Sequence, residues 1–238
     1  MAYKTRLGGT TANFAGMMEN GFGIVTVMNA RVYNALSKTD YEGKTAYDIA
    51  STYGAKTAAE GLLCEIDTLK IANVTMEGPT KTITGGQYTN PLIKFGKTAR
   101  LEMQDALGRS EAIEALCGGI QEWKVEGTDQ SAKETIVGLH FGGDFSGAKM
   151  IVGDSFFIDR VSGQQVPVKI IFYQFLPDSL FNLTQDAEGD ATVFDMNGDL
   201  LMTNILVAKS KTDGTFDQTS THGVFYSIVE VPESTESN

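Results

Sequence analysis

Gly96, Lys97 and Thr98 form the first of three motifs in this sequence whose residue types suggest chemistry. They resemble the end of a phosphate-binding loop, in which backbone amides at a helix N-terminus cradle phosphate groups. That motif needs a glycine five residues before Gly96, where Pro91 stands, and the residues that follow alternate as in a strand. The sequence therefore predicts no nucleotide site, and Lys97 is interpreted as a surface or interface cation.

Asp195, Asn197 and Asp199 have the alternate spacing of the oxygen ligands in a calcium-binding loop. Gly198, however, stands at the wrong position for such a loop, and no acidic residue closes a twelve-residue loop. The dipeptide of Asn197 and Gly198 is instead a strong signal for a two-residue hairpin turn. We therefore predict a turn here, and we expect no metal and no cofactor.

His140 and His222 are the only histidines, so a catalytic triad would have to use one of them. Each lies in or beside a strand-like segment without a supporting motif, which favours a structural role. Cys64 and Cys117 are far apart in apolar segments, which predicts buried thiols and neither a disulfide nor a thiolate metal site. Since 30 acidic residues make chance pairs of carboxylates common, a carboxylate-based hydrolase stays an unfavoured alternative and we predict no enzyme.

Acidic residues dominate the charge of the chain. The 30 Asp and Glu residues outnumber 19 Lys and Arg residues, so the net charge is −11 and nucleic-acid binding is disfavoured. The cluster of Asp186, Glu188 and Asp190 is interpreted as a solvated turn or, alternatively, as a patch that repels phosphate backbones. No apolar run approaches the roughly 20 residues of a membrane-spanning helix, and no export signal is visible, so we expect a chain made in the cytoplasm.

The 26 glycines and five prolines separate many short β-type runs, which is typical of an all-β sandwich or barrel with limited helix in one domain. The segments 150–160 and 165–175 predict a long hairpin whose base is apolar on both faces. Further strands are predicted at 22–32, 63–76, 99–103, 135–141, 181–186, 191–195 and 223–231. Shifts of the apolar phase within 63–76 indicate bulges.

A polar insertion at 37–60 carries the first predicted helix, at 46–53. Thr45 is a suitable N-cap, Asp48 lies in the first turn, and Gly54 ends the helix.

The segment 110–117 predicts a second helix, because Glu111 lies in its first turn and Gly118 follows its end. Its apolar face, which we expect to cover the sheet, consists of Ile113, Leu116 and Cys117. Residues 210–221 are predicted to form a polar loop, and residues 232–238 a flexible tail.

Two regions, which together cover about half of the chain, resemble the major tail tube proteins of bacteriophages. Residues 90–108 (NPLIKFGKTARLEMQDALG) and 113–119 (IEALCGG) are similar to the strand and short helix of that family. Residues 156–159 (FFID), 175–178 (FLPD) and 182–195 (NLTQDAEGDATVFD) are similar to its closing strands. The resemblance implies two packed antiparallel β-sheets in a sandwich or half-barrel, with a flanking helix and long loop insertions.

The resemblance also implies a structural role in the virion tail, assembled in the host cytoplasm. Six copies would form a ring, and rings would stack with other tail proteins into a tube that passes genomic DNA without binding it specifically. Unpaired sheet edges are removed when copies pair around a closed ring, and an acidic channel repels phosphates. The alternatives are a type VI secretion tube protein and a β-sandwich adhesion or baseplate module, for which the single Trp123 offers few aromatic contacts.

Overall fold

A computed structural model describes residues 22–24, 27, 29–54, 59–67, 69–78, 80–82, 92–94, 96–105, 110–126, 133–141, 146–159, 163, 165–178, 194–210 and 216–230. Over these residues the chain is mainly β, with antiparallel sheets and few helices, which confirms the predicted fold class. The acidic cluster of Asp186, Glu188 and Asp190, the strand predicted at 181–186 and the tail 232–238 lie outside the described residues.

The elements are short and follow one another closely. The strands are β1 Phe22–Ile24, β2 Asn29–Asn34, β3 Leu62–Ile66, β4 Leu69–Glu77, β5 Thr80–Thr82, β6 Leu92–Lys94, β7 Thr98–Asp105, β8 Gly119–Glu126, β9 Lys133–Phe141, β10 Lys149–Asp159, β11 Gln165–Pro177, β12 Phe194–Leu200, β13 Thr203–Ser210, β14 Phe216–Val224 and β15 Tyr226–Val229. The helices are α1 Lys38–Glu42, α2 Ala46–Tyr53 and α3 Ser110–Cys117.

One nine-stranded antiparallel sheet organises the fold, in the order β3-β2-β10-β11-β12-β7-β4, with β1 beside β10 and β15 beside β11. Its two end strands are consecutive in the chain, because β3 ends at Ile66 and β4 begins at Leu69. Three residues of chain span at most about 10 Å, so the two ends of the sheet meet at one corner. The sheet therefore curls back on itself. The pairs β5–β6, β8–β9 and β13–β14 form separate two-stranded ribbons.

The main core lies inside the curl, where the two halves of the sheet face each other. Its buried residues from β2, β3, β10 and β11 are Ala30, Val32, Cys64, Ile66, Ile151, Ile170, Phe172 and Phe175. Those from β4, β7 and β12 are Leu69, Ala99, Leu101, Met103, Met196 and Leu200, and α3 adds Ala112, Ala115 and Leu116. One continuous sheet thus supplies both packed layers.

A second core covers the outer face of β2, β10 and β11. It contains Tyr33, Tyr41, Ile49, Ala50, Met150, Val152, Ile171, Tyr173 and Ile205, so α1, α2 and β13 pack over these strands. Residues 37–60, which the sequence predicts as a polar insertion, therefore contribute part of the core. The segment looks polar because each short helix buries only one or two side chains and exposes the others.

The sequence prediction for α2 is confirmed. Thr45 Oγ1 accepts a hydrogen bond from the Asp48 amide at 3.2 Å, and Asp48 Oδ2 accepts one from the Thr45 amide at 2.9 Å. This reciprocal capping box satisfies two donors at the start of the helix. The hydrogen bonds from Thr45 lower the pKa of Asp48. Gly54 ends the helix, and α1, which the sequence analysis does not predict, is capped by Ser37.

The predicted hairpin is confirmed as β10 and β11, and four charged residues cross its outer face. Arg31 of β2 is nearly buried, with Nη2 at 3.2 Å from Glu65 Oε1 and Nη1 at 3.3 Å from Asp154 Oδ2. Asp154 also pairs with Lys169 of β11. A ladder of alternating charge thus joins four neighbouring strands.

The hairpin turn predicted at Asn197 and Gly198 is wrong, because both residues lie inside β12 opposite Glu102 and Leu101 of β7. A Cβ atom on Gly198 would lie 2.3 Å from the Leu176 carbonyl oxygen. Glycine is needed here for the close approach of β11, and this long-range contact overrides the local turn signal.

Several strand boundaries also differ from the predictions. The segments 22–32 and 63–76 each contain two strands: β1 and β2 pair with different parts of β10, whereas β3 pairs with β2 and β4 with β7. A register shift lies between Leu69 and Ile71, within the segment where the sequence predicts bulges. The predicted polar loop at 210–221 is wrong over 216–221, which belong to β14, and β8 and β13 were not predicted.

We predict that Tyr41→Phe destabilises the fold. The fully buried Tyr41 hydroxyl donates to the Tyr173 carbonyl and accepts from the Leu36 amide at 3.2 Å. Its removal leaves buried groups unpaired and lowers the free energy of unfolding by about 1–3 kcal/mol. Denaturant unfolding measures the loss. Tyr47→Phe, at an exposed position on the adjacent helix, is the matched control, and equal effects of the two variants would contradict the packing of α1.

Alkaline pH should weaken the same core. Burial raises the pKa of Tyr173 to about 12 and also raises the pKa of Tyr41. Unfolded tyrosines ionise near pH 10. The stabilisation is therefore complete below about pH 10 and is lost as the pH rises from there towards 12. Denaturant unfolding across this pH window should show the loss of stability. Tyrosinate absorbance should show at least one tyrosine that ionises above pH 10. Uniform titration near pH 10 with unchanged stability would contradict it.

Candidate functional site

The outer face of β4, β7 and β12 is a polar surface, which we call the outer sheet face. Ala99, Leu101 and Met103 of β7 point into the main core, so the alternate residues Arg100 and Glu102 point outward. Pairing of the three strands aligns further polar residues with them. The outer sheet face consists of Asn73, Thr75, Glu77, Thr98, Arg100, Glu102, Gln104, Asp195, Asn197 and Asp199.

Carboxylates outnumber cations on this face. It holds four acidic residues, at positions 77, 102, 195 and 199, against the single guanidinium of Arg100. Arg100 Nη1 is 3.6 Å from Asp199 Oδ1, and Arg100 Nε is 3.9 Å from Glu102 Oε1. Arg100 also donates to Asp178 at the rim, and this hydrogen bond and the neighbouring carboxylates raise its pKa. The face therefore keeps a net negative charge around one cation that is already paired.

A shallow depression of about 320 Å³ lies on the outer sheet face. Its lining is Thr75, Glu77, Thr98, Ala99, Arg100, Glu102 and Asp199, which includes no histidine or cysteine. The described residues contain no group of three or more His, Cys, Asp or Glu side chains arranged to hold a metal. Asp195, Asn197 and Asp199, considered above as calcium ligands, are spaced along one strand. Their alternation reflects the outward face of β12.

The outer sheet face ends at a strand edge. Within the described ranges β4 pairs only with β7, and β3, at the other end of the sheet, pairs only with β2. The second edge of β4 therefore presents backbone groups that can pair with another chain. Lys97, interpreted from sequence as a surface cation, is exposed just before β7.

The ribbon of β8 and β9 exposes four large apolar side chains, Ile120, Trp123, Val125 and Val137, each more than half exposed. Trp123 and Val125, which share one face of β8, are called the ribbon patch, whereas Ile120 points to the other face. β8 is absent from the strands predicted from the sequence. The alternation of Trp123 and Val125 with Lys124 and Glu126 was the available signal.

Helix α3 lies where the ribbon leaves the main core. Leu116 is buried in that core and Ile113 is buried beside Gly119 of β8, whereas Cys117 is half-buried. Cys64 is buried as expected, so the prediction of a buried thiol is wrong for Cys117 alone, because it lies at the end of the helix where packing is incomplete. The two cysteines do not form a disulfide.

The two histidines lie in different surroundings in the described structure. His140 is exposed on the ribbon, and its Nε2 lies 2.8 Å from Glu122 Oε2. His222 lies in β14, opposite Ile205, and its buried Nε2 makes no hydrogen bond within the described part of the chain.

No protein-family model matches the sequence, and no curated protein matches it significantly. No helix in the described ranges is both long and apolar enough to cross a membrane.

We predict stability effects of different size for two arginines with carboxylate partners. Arg100→Met should change the free energy of unfolding by less than about 1 kcal/mol, because its ion pairs are exposed. Arg31→Met should lower it by about 1–3 kcal/mol, because Asp154 loses a nearly buried partner but keeps Lys169. Denaturant unfolding of both variants measures the difference. A large loss for Arg100→Met would show that the outer sheet face is structural.

Proposed function

We propose that this chain is a structural subunit that assembles with copies of itself into a tube around an acidic channel, as in a bacteriophage tail. The observation that carries the proposal is the outer sheet face, a polar surface of net negative charge that no other described element covers and that ends at an edge of β4 without a described partner strand. The resemblance of half of the sequence to tail tube proteins supports the same conclusion.

The curl of the sheet makes this role geometrically reasonable. The outer face of β2, β10 and β11 is buried by helices, whereas no helix of the described ranges covers the outer face of β4, β7 and β12, which carries polar side chains. Strand edges that remain open favour pairing with another chain. If copies meet at the β4 edge, the outer sheet faces of neighbours form one continuous wall, and a closed ring removes the open edges.

The electrostatics of the outer sheet face suit a channel for nucleic acid. Glu102 and Asp199 are more than half exposed at their side chains, so their charges act on whatever passes in front of them. Carboxylates repel phosphates and offer no sites for counterion release, which keeps DNA from adhering. Six copies per ring, stacking of rings with other tail proteins, and DNA passing without specific binding complete the proposal. The protein would then act without catalysis and without a cofactor.

Electron microscopy and sedimentation velocity of the full-length protein test the assembly. We expect rings or tubes over a range of protein and salt concentrations. Dispersed monomers under all of these conditions would contradict the proposal.

Reversing charges on the outer sheet face should convert a repelling channel into one that retains DNA. Tubes of the double variant Glu102→Lys, Asp199→Lys should hold short DNA duplexes protected from nuclease at low salt, and wild-type tubes should hold none. The matched control is Asp40→Lys, Glu42→Lys, which adds the same charge on α1. DNA bound by control tubes should remain open to nuclease. Equal protection by both variants would contradict the placement of the channel.

A further inference from the structure

The β8–β9 ribbon has two bare faces. Residues 122–126 of β8 are all exposed, and since successive strand residues point to opposite faces, neither face of this stretch is covered in the described structure. The ribbon is a separate two-stranded sheet that packs on α3 at its base. Two-stranded sheets alone are at best marginally stable in water, so this ribbon needs a partner surface.

The composition of the ribbon patch is that of an interface core. Trp123 is 52% exposed and Val125 56%, both on one face of β8, and Trp123 is the single tryptophan of the chain. Tryptophan is enriched at the energetic centres of protein interfaces, and clustered exposed apolar side chains mark interaction sites.

Two side-chain contacts link polar and charged residues along the ribbon. Lys124 Nζ lies 2.7 Å from Glu126 Oε1, and His140 Nε2 lies 2.8 Å from Glu122 Oε2. The chain as a whole carries a net charge of −11, so two copies repel each other over most of their surfaces. The ribbon patch itself carries no charge, so it adds no repulsion to a contact between two copies.

The same chain carries a separate apolar surface, which we call the corner patch: Leu176, Leu201 and Met202. Their exposures are 38%, 41% and 63%. The Leu201 amide donates to the Gln174 carbonyl at 2.8 Å, which places Leu201 on the same side of β11 as Leu176. Met202 lies across Gly223 of β14, where a Cβ atom would be only 2.9 Å from its sulfur. The corner patch is therefore held in place by its contacts with β11 and β14.

We propose that the ribbon patch of one copy docks on the corner patch of the next copy, with Trp123 against the thioether of Met202. Methionine adapts its shape and makes favourable sulfur contacts with aromatic rings. The two surfaces lie on different elements, so the contact is head to tail, and such contacts repeat into a ring or an open helix. The inference rests on the proposed function for its occupant, a second copy, and adds the surfaces that join the copies.

Trp123 reports on the docking directly, because it is the single tryptophan. Its fluorescence emission should move to shorter wavelength as wild-type protein assembles, at the same concentrations at which sedimentation detects larger species. Assembly with unchanged tryptophan emission would overturn the inference and leave the tube proposal standing.

A charge-complementation pair tests the two surfaces together. Val125→Lys and Met202→Glu should each raise the protein concentration needed for assembly by about tenfold or more. An equal mixture should recover assembly, because a Lys ribbon can meet a Glu corner while the reciprocal contact stays wild type. Unchanged thermal unfolding of each variant shows that it folds. The control variant is Tyr47→Glu, which places a charge at an exposed aromatic residue of α2 and should assemble as wild type does.

The other outcomes separate the two proposals. Normal assembly of Met202→Glu alone would mean that the ribbon does not dock on the corner patch, and normal assembly of Val125→Lys would exclude the ribbon. Either result would overturn this inference and leave the proposed tube assembly unaffected. Short oligomers that need both patches, with no tubes under any condition, would support the docking and overturn the proposed function. A wild-type protein that stays monomeric overturns both.

Discussion

Burial of the β10–β11 hairpin on both of its faces is the constraint on which the fold depends. Ile151 and Phe172 face the main core, while Val152 and Ile171 face the second core. The edges are also occupied, by β1 and β2 on one side and by β12 and β15 on the other. A hairpin covered in every direction cannot slip by one residue without exposing a whole apolar face. The rest of the chain is therefore positioned around a fixed register.

The sheet curls around that hairpin, and the outer faces of its two halves differ in polarity. Near the hairpin, helices α1 and α2 cover the outer face and force it to be apolar, apart from the charge ladder centred on Arg31. At β12, β7 and β4 no helix among the described residues covers the outer side, and β7 alternates between the apolar Leu101 and the polar Glu102. In the proposed tube, the covered half faces away from the channel and the uncovered half forms its wall.

Local signals predicted the elements that depend on local chemistry. The capping pair of Thr45 and Asp48 located α2, and the alternation of apolar residues located β10 and β11. Prediction failed where contacts between residues distant in the sequence determine the local structure. Gly198, predicted to lie in a turn, is an example, because its neighbour Leu176 comes from another strand.

The candidate site was beyond sequence reasoning for the same reason. Glu102 and Asp199 lie on paired strands nearly a hundred residues apart in the chain, so only the fold brings them together. The alternation of Asp195, Asn197 and Asp199 is visible in the sequence. The same spacing fits both a calcium-binding loop and the outward face of a strand, so the sequence alone does not identify the strand. The exposure of Trp123 could not be inferred from the sequence, because the sequence analysis does not predict β8.

The measurement that tests the central claim most directly is a cryo-electron microscopy reconstruction of the assembled wild-type protein. The account predicts that Arg100, Glu102 and Asp199 line the channel and that α1 and α2 lie away from it. A channel lined by α1 and α2, or by a dense array of lysine and arginine side chains, would contradict the account.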